Sequence, residues 1–187
     1  MKICILSGNP KTNGLCQSII DAAKLGATEA GAEVNEIRLC DLDMNCCKVC
    51  GDGWGKCRSE NHCIYGSDGF DEVVARIRCS DAIIFASPVY WGETSEALKS
   101  FIDRFRRCEF GQEGILRNKQ ALIIASPGGS GNGLLSSFEQ LDRFCRHTGA
   151  IIFDYIGVNR WNSDYKRLAA KSAAFAIASG RKNGDTA

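Results

Sequence analysis

The stretch Ala82-Ile83-Ile84-Phe85-Ala86 is an unbroken apolar run that ends in Ser87-Pro88. That is the pattern of a strand buried on both faces, and such strands occur where helices cover both sides of a parallel sheet. The unit it begins recurs along the chain: a short apolar run, a loop rich in Gly, Ser, Asn and Pro, then an amphipathic stretch. Residues 2–6 lead into Ser7-Gly8-Asn9-Pro10-Lys11-Thr12-Asn13-Gly14 and a helical pattern to about Ala30. Residues 121–125 lead into the loop 126–133 and a helix over 134–148. Between them, 33–38 alternates as a strand, 70–79 reads as a helix, and 94–107 carries Ala97, Leu98, Phe101, Ile102 and Phe105 at helical spacing. A last strand over 150–156 and a helix over about 164–179 complete the pattern, leaving 181–187 as an expected frayed tail. Five strands alternating with helices predict one doubly wound α/β domain over residues 1–187, because right-handed crossovers put helices on both faces.

With 23 Lys and Arg against 22 Asp and Glu, charge does not call for nucleic acid or an acidic membrane as the main partner. The opening MKICILSGNP is too short an apolar segment for a signal-peptide core or a membrane span, so the expectation is a cytoplasmic protein. Eleven cysteines are many for such a chain, and Cys40, Cys46, Cys47, Cys50, Cys57 and Cys63 crowd into residues 40–66. In a reducing compartment this crowding points to metal or redox chemistry rather than to structural disulfides. Cys4, Cys79, Cys108 and Cys145 read as small core residues.

In an open parallel sheet, ligands settle beyond the carboxyl ends of the strands, which singles out three loops. The first, from Ser7 to Cys16, opens a helix; its free N–H groups, the helix dipole and Lys11 suit a phosphate. It lacks the Gly-Lys-Ser/Thr ending of a triphosphate loop and the GxGxxG spacing of a dinucleotide fold, so a single terminal phosphate is the better match. The second, Ser87-Pro88-Val89-Tyr90-Trp91-Gly92-Glu93, puts two aromatic rings where a planar heterocycle would lie. The third, Ser126-Pro127-Gly128-Gly129-Ser130-Gly131-Asn132-Gly133, lets the backbone approach a ligand without side-chain obstruction.

On these three loops, and on Leu98-Lys99-Ser100-Phe101-Ile102-Asp103-Arg104 after the second, the chain resembles the NADPH-dependent FMN reductase and iron-sulfur flavoprotein branch of the flavodoxin-like superfamily. The resemblance covers roughly residues 2–156 and implies a flavodoxin-like five-stranded parallel sheet in the order 2-1-3-4-5, with a cysteine-rich insertion after the second strand. It implies FMN as cofactor, with Ser7, Asn9, Lys11, Asn13, Gly14, Leu15 and Cys16 around the phosphate. Pro88, Val89, Tyr90, Trp91, Gly92 and Glu93, together with Pro127, Gly128, Gly129 and Ser130, would flank the isoalloxazine. This chain departs from the pattern at Leu15-Cys16, where many relatives carry Asn-Thr; a thiol is a weak donor in place of a hydroxyl.

Iron-sulfur flavoproteins resemble this chain in placing a compact cysteine motif between the second strand and the next helix. Their usual two successive two-residue spacings are met once, by Cys47 and Cys50; the next position is Gly53, followed by Cys57 and Cys63. Cys47, Cys50, Cys57 and Cys63 are the expected ligands of a [4Fe–4S] cluster, with Cys46 spare and the loop 51–55 flexible enough to wrap it. A zinc site on the same residues, with His62 in place of Cys63, is the alternative, and free thiols are the third reading. His62 and His147 receive no catalytic role. Arg104, Arg106 and Arg107 read as a solvated helix face, with pairing of Asp103 or Arg104 inside the fold or across a subunit contact as the other option.

The expected activity is FMN-dependent transfer of electrons from NAD(P)H or a protein donor to a small acceptor, a redox protein or a cluster. Hydride transfer to the flavin needs no side-chain acid or base, so no catalytic residue is assigned. The alternatives are a zinc- or thiol-bearing interaction protein on the same fold, or a pure electron carrier. The resemblance also implies a homodimer or homotetramer.

Overall fold

The computed structural model describes residues 1–109 and 114–182, so 183–187 of the expected tail lie outside the described residues. Five parallel strands, β1 (Lys2–Ser7), β2 (Glu33–Arg38), β3 (Ala82–Tyr90), β5 (Gln120–Gly128) and β6 (Ile151–Asn159), form a sheet in the order β2-β1-β3-β5-β6. The two-residue β4 (Glu93–Thr94) pairs antiparallel with the end of β3. The sheet is therefore the expected 2-1-3-4-5 arrangement with one small addition.

The alternation of side chains along β3 explains why the run that defined the fold has no polar position. Ile83 and Phe85 face one core, with α3 (Phe70–Arg78), α4 (Glu96–Glu109) and α5 (Leu134–Thr148). Ala82, Ile84 and Ala86 face the other, with α1 (Leu15–Glu29) and α6 (Ser163–Ala178). Both faces are covered, so neither can carry a polar residue without an internal partner. β3 also runs to Tyr90, beyond the expected end at Ala86, with Pro88 opposite Ser126. Residues 40–66, read as an irregular loop, contain the single-turn helix α2 (Lys56–Ser59).

Cys4, Cys16, Cys108 and Cys145 are buried, and burial pushes each of these thiols up to about 12. Cys79 is not a core residue: it follows the last residue of α3 and is exposed, while Ser80 turns inward and caps the Ile77 carbonyl.

At Gly26 in α1 the two helices of one face meet most closely, because an added Cβ would lie 2.0 Å from the Lys171 carbonyl oxygen of α6. Gly26→Ala is expected to destabilise the protein by about 1–3 kcal/mol through overpacking, read as a lower urea midpoint at unchanged slope. A second expectation concerns Glu109 at the end of α4, which is buried and accepts the Leu116 N–H at 2.8 Å. Burial pushes its carboxyl up to about 7, against the lowering effect of the Leu116 and Ile115 N–H groups. A carboxyl whose folded pKa lies above its unfolded value holds its proton longer when folded, so stability is lost as pH rises from about 4.5 to about 7. Glu109→Gln should therefore match the parent at pH 4 and exceed it at pH 8, by on the order of 1–2 kcal/mol after allowance for solvent screening.

Candidate cofactor site

The loops after β1, β3 and β5 meet on one rim of the sheet, and glycines allow them to touch. Gly8 donates its N–H to the Ala86 carbonyl at 2.8 Å, and a Cβ there would lie 2.2 Å from Ser95 Oγ. A Cβ on Gly133 would lie 2.2 Å from the Gly92 Cα, and Ser136 Oγ donates to the Gly92 carbonyl at 2.6 Å. No larger residue fits at Gly8 or Gly133 without a shift of its neighbours. Trp91 (φ 50) and Gly92 (φ 82) form the two-residue hairpin between β3 and β4, where both positions take positive φ as a primed turn requires.

In the first loop, Lys11, Asn13 and Gly14 are exposed and Leu15 is half-buried at the start of α1. Gly14 precedes α1 with φ 91 and nothing within 4 Å of an added Cβ, so the helix N-terminus is open above it. Ser7 and Asn9 are buried and brace the loop from inside: Ser7 Oγ accepts the Asn9 N–H at 3.3 Å, and Asn9 Nδ2 donates to the Lys11 carbonyl at 2.7 Å. Asn9 Oδ1 in turn accepts the Lys11 N–H at 3.3 Å. Cys16 packs its side chain into the core rather than toward the rim. Two residues that the loop's own sequence does not reveal complete the brace. Gln17 accepts from Asn9, and Arg38 at the end of β2 donates to the Lys11 carbonyl at 3.2 Å and to Gln17 Oε1 at 3.3 Å.

The second loop holds Ser87 and Pro88 buried, Val89 and Gly92 half-buried, and Tyr90 and Glu93 exposed. Trp91 is fully exposed, projecting from the rim. Ser87 Oγ accepts the Ser95 N–H at 2.8 Å, fixing the loop's return into α4. In the third loop Pro127, Gly128 and Gly129 are half-buried and Ser130 exposed, and added Cβ atoms on Gly128 and Gly129 would meet nothing within 4 Å. Beside the rim lies a cavity of about 460 Å³ bounded by Gly8, Pro10, Cys40, Tyr90, Ser95, Phe101 and Arg104. Ser95 Oγ on its wall is buried and has no hydrogen-bond partner.

The cysteine segment closes a second cavity. Cys46, Cys47, Cys50, Cys57 and Cys63 line it together with Lys48, Lys56, Arg104 and Arg107, so the expected ligands converge among positive charges. Among the described residues no three His, Cys, Asp or Glu side chains are grouped closely enough to hold one metal ion. Arg104 corrects the reading of a solvated arginine face. It is 3% exposed, pairs with Asp68 at 2.8 Å and lies over the Phe70 ring at 4.2 Å. Burial raises the Asp68 carboxyl, but hydrogen bonds from Arg104 and Asn45 outweigh it and hold the group at about 2. The signal was present in the helix period: Arg104 follows Phe101 by three residues and precedes Cys108 by four, on the buried face. Arg107 donates to the Gly53 carbonyl, Arg106 and Arg107 lie over the Trp54 ring, and Asp103 pairs with Lys99. His62 and His147 are exposed, His62 near Asp71 at 3.6 Å.

The sequence profile of the NADPH-dependent FMN reductase family matches residues 1–162. An iron-sulfur flavoprotein of Methanosarcina thermophila is 37% identical over 136 residues, covering 71% of this chain and 66% of that protein. An iron-sulfur flavoprotein of Methanocaldococcus jannaschii is 31% identical over 144 residues, 77% of this chain and 71% of that one. The match thus spans about two thirds of the Methanosarcina protein's length. Among solved structures, an NAD(P)H:quinone oxidoreductase from Methanothermobacter marburgensis superposes with a TM-score of 0.73 at 17% identity, over 95% of this chain and 96% of that one. An archaeal flavodoxin does so with 0.65 at 13% identity, over 98% of this chain and all of the other, which extends the likeness in fold. With the three loops gathered on one rim of a flavodoxin-like sheet, the chain belongs to the NADPH-dependent FMN reductase family, a family of flavin-dependent oxidoreductases.

Proposed function

We propose that this protein is an FMN-dependent oxidoreductase that takes electrons from NAD(P)H or a protein donor and passes them to a small acceptor or a redox partner, with a [4Fe–4S] cluster in the cysteine segment. The observation that carries this reading is the meeting of three backbone-rich turns on one rim, at the Gly8–Ser95 and Gly92–Gly133 approaches. Bound there, FMN would accept electrons in pairs and release them singly, and the protein's part is binding, orientation and electrostatics.

Each group has a stated task in this reading. The amides that open α1 and the Lys11 ammonium would meet the phosphate, while Ser7, Asn9, Gln17 and Arg38 hold that turn in shape from within. Asn13, Gly14 and the Leu15 amide stand at the open end of α1, and Cys16 contributes through its backbone. Pro88 to Glu93 and Pro127 to Ser130 would flank the ring. The open space above Gly128 and Gly129 supports a close approach of backbone to a flat ligand. The 460 Å³ cavity beside Tyr90 is of a size for a small organic molecule, and the quinone named for the structurally similar Methanothermobacter protein is one acceptor class it suits.

The donor set of the second cavity also fits its group. Cys47, Cys50, Cys57 and Cys63 line this one cavity, and in a polynuclear cluster each thiolate would bind a different iron. Lys48, Lys56, Arg104 and Arg107 would offset the negative charge of four thiolates. A cytoplasmic location agrees with this free-thiol chemistry, and no helix among the described residues is long and apolar enough to cross a membrane. A homodimer or homotetramer, as the family resemblance implies, completes the proposal.

Protein purified without oxygen should show flavin absorption bands and contain iron. Zinc without flavin would instead indicate an interaction protein, and a colourless product after reconstitution with FMN would overturn the reading. Lys11→Ala should weaken FMN binding about tenfold at unchanged thermal stability, as for loss of one charge-assisted contact, measured by fluorescence titration. Unchanged affinity would remove Lys11 from the phosphate site.

A further inference from the structure

Arg104 does more than fill a place on the buried face of α4. Its Nη1 donates to the Asn45 carbonyl and to Asp68 Oδ2, both at 2.8 Å. Its Nη2 donates to the Tyr65 carbonyl at 3.2 Å, to Asp68 Oδ1 at 3.2 Å and to Cys63 Sγ at 3.3 Å. Asn45 lies where the chain enters the cysteine segment, and Tyr65 and Asp68 lie where it leaves. One guanidinium therefore ties entry to exit and places its charge against a thiol that faces the cavity. A lysine has no planar fork and cannot make this set of contacts. Arg104 and Cys46 are also common to the walls of both cavities, the one beside the rim and the one among the thiols.

We propose that Arg104 is the positioning residue of the cysteine site: it fixes both ends of the thiol-bearing segment on α4, and through its N–H donation to Cys63 Sγ it favours the more electron-rich state of an iron-sulfur cluster held there. This rests on the cluster reading above. The physical basis is that hydrogen bonds to ligand sulfur and nearby positive charge stabilise the added negative charge of a reduced cluster and so raise its potential. Asp68 opposes that effect by neutralising the guanidinium from the other side. The two partners of one ion pair should then move the potential in opposite directions, which a purely structural role for the pair does not produce.

The test is a dithionite titration of the iron-loaded protein followed by electron paramagnetic resonance, with the parent, Arg104→Gln and Asp68→Asn compared. Arg104→Gln should lower the midpoint potential and Asp68→Asn should raise it, each by about tenfold in the reduction equilibrium, or about 59 mV for a one-electron couple. Equal potentials in all three, or shifts of the same sign in both variants, would overturn the proposal. If Arg104→Gln takes up no iron, Arg104→Lys is read in its place, with a smaller downward shift expected and no shift overturning it. In iron-free protein, hydrogen exchange over residues 45–68 should quicken in Arg104→Gln; unaltered exchange there would remove the tie between the two ends. A parent that retains FMN yet takes up no iron from ferrous salt and sulfide would overturn the proposal through its premise, whereas immobile potentials in loaded protein would overturn it alone.

Discussion

Burial of β3 on both faces is the constraint from which the rest of this structure follows. A strand with Ile83 and Phe85 in one core and Ala82, Ile84 and Ala86 in the other can exist only in a sheet covered on both sides. The helices that cover it must connect parallel strands, and right-handed crossovers then return every strand in the same direction. All carboxyl ends consequently lie along one edge. The polar, glycine-bearing turns have nowhere else to be, which is why binding capacity concentrates on a single rim.

Nearness on that rim still has to become contact, and here single atoms decide. A Cβ added at Gly8 would lie 2.2 Å from Ser95 Oγ, and one added at Gly133 2.2 Å from the Gly92 Cα, so a side chain at Gly8 or Gly133 would prise the turns apart. The turn after β1 is held in shape separately, by side chains that point inward. Asn9 uses both ends of its amide within the loop, and Gln17 and Arg38 tie the loop to α1 and β2. The outward surface is thereby left to backbone and to the exposed side chains of Pro10, Lys11, Thr12 and Asn13.

The cysteine segment follows a different logic, since it lacks the sheet ladder and has one short helix of its own. Its order comes from an ion pair of buried Arg104 with half-buried Asp68, supplemented by carbonyls from both ends of the segment and by the Phe70 ring. A buried charge is tolerated only when it is paired and hydrogen-bonded, and Arg104 meets that requirement through Asp68, Asn45 and Tyr65. The same arginine that satisfies the fold thus meets the thiols, which couples the integrity of the segment to the electrostatics of its cavity.

The amino-acid order alone determined the strand and helix alternation, the parallel sheet and the three turns that bear on cofactor binding, because these depend on local period and on residues such as Gly and Pro whose backbone preferences act where they stand. It also located the cysteine segment. Strand ends were less legible: β3 continues through Ser87 and Pro88 alongside β5, and on to Tyr90 because the hairpin at Trp91-Gly92 supplies it with β4 as a partner. Cys79 was misread because the choice between it and Ser80 as the inward residue rests on how α3 ends. Arg104, Asp68, Gln17 and Arg38 acquired their roles only from tertiary structure, since the partners that give them those roles lie 8 or more residues away in the chain, up to 59 for Arg104 and Asn45. Local pattern fixes which elements form; which polar groups they bury together depends on distances that only the packed sheet and helices set.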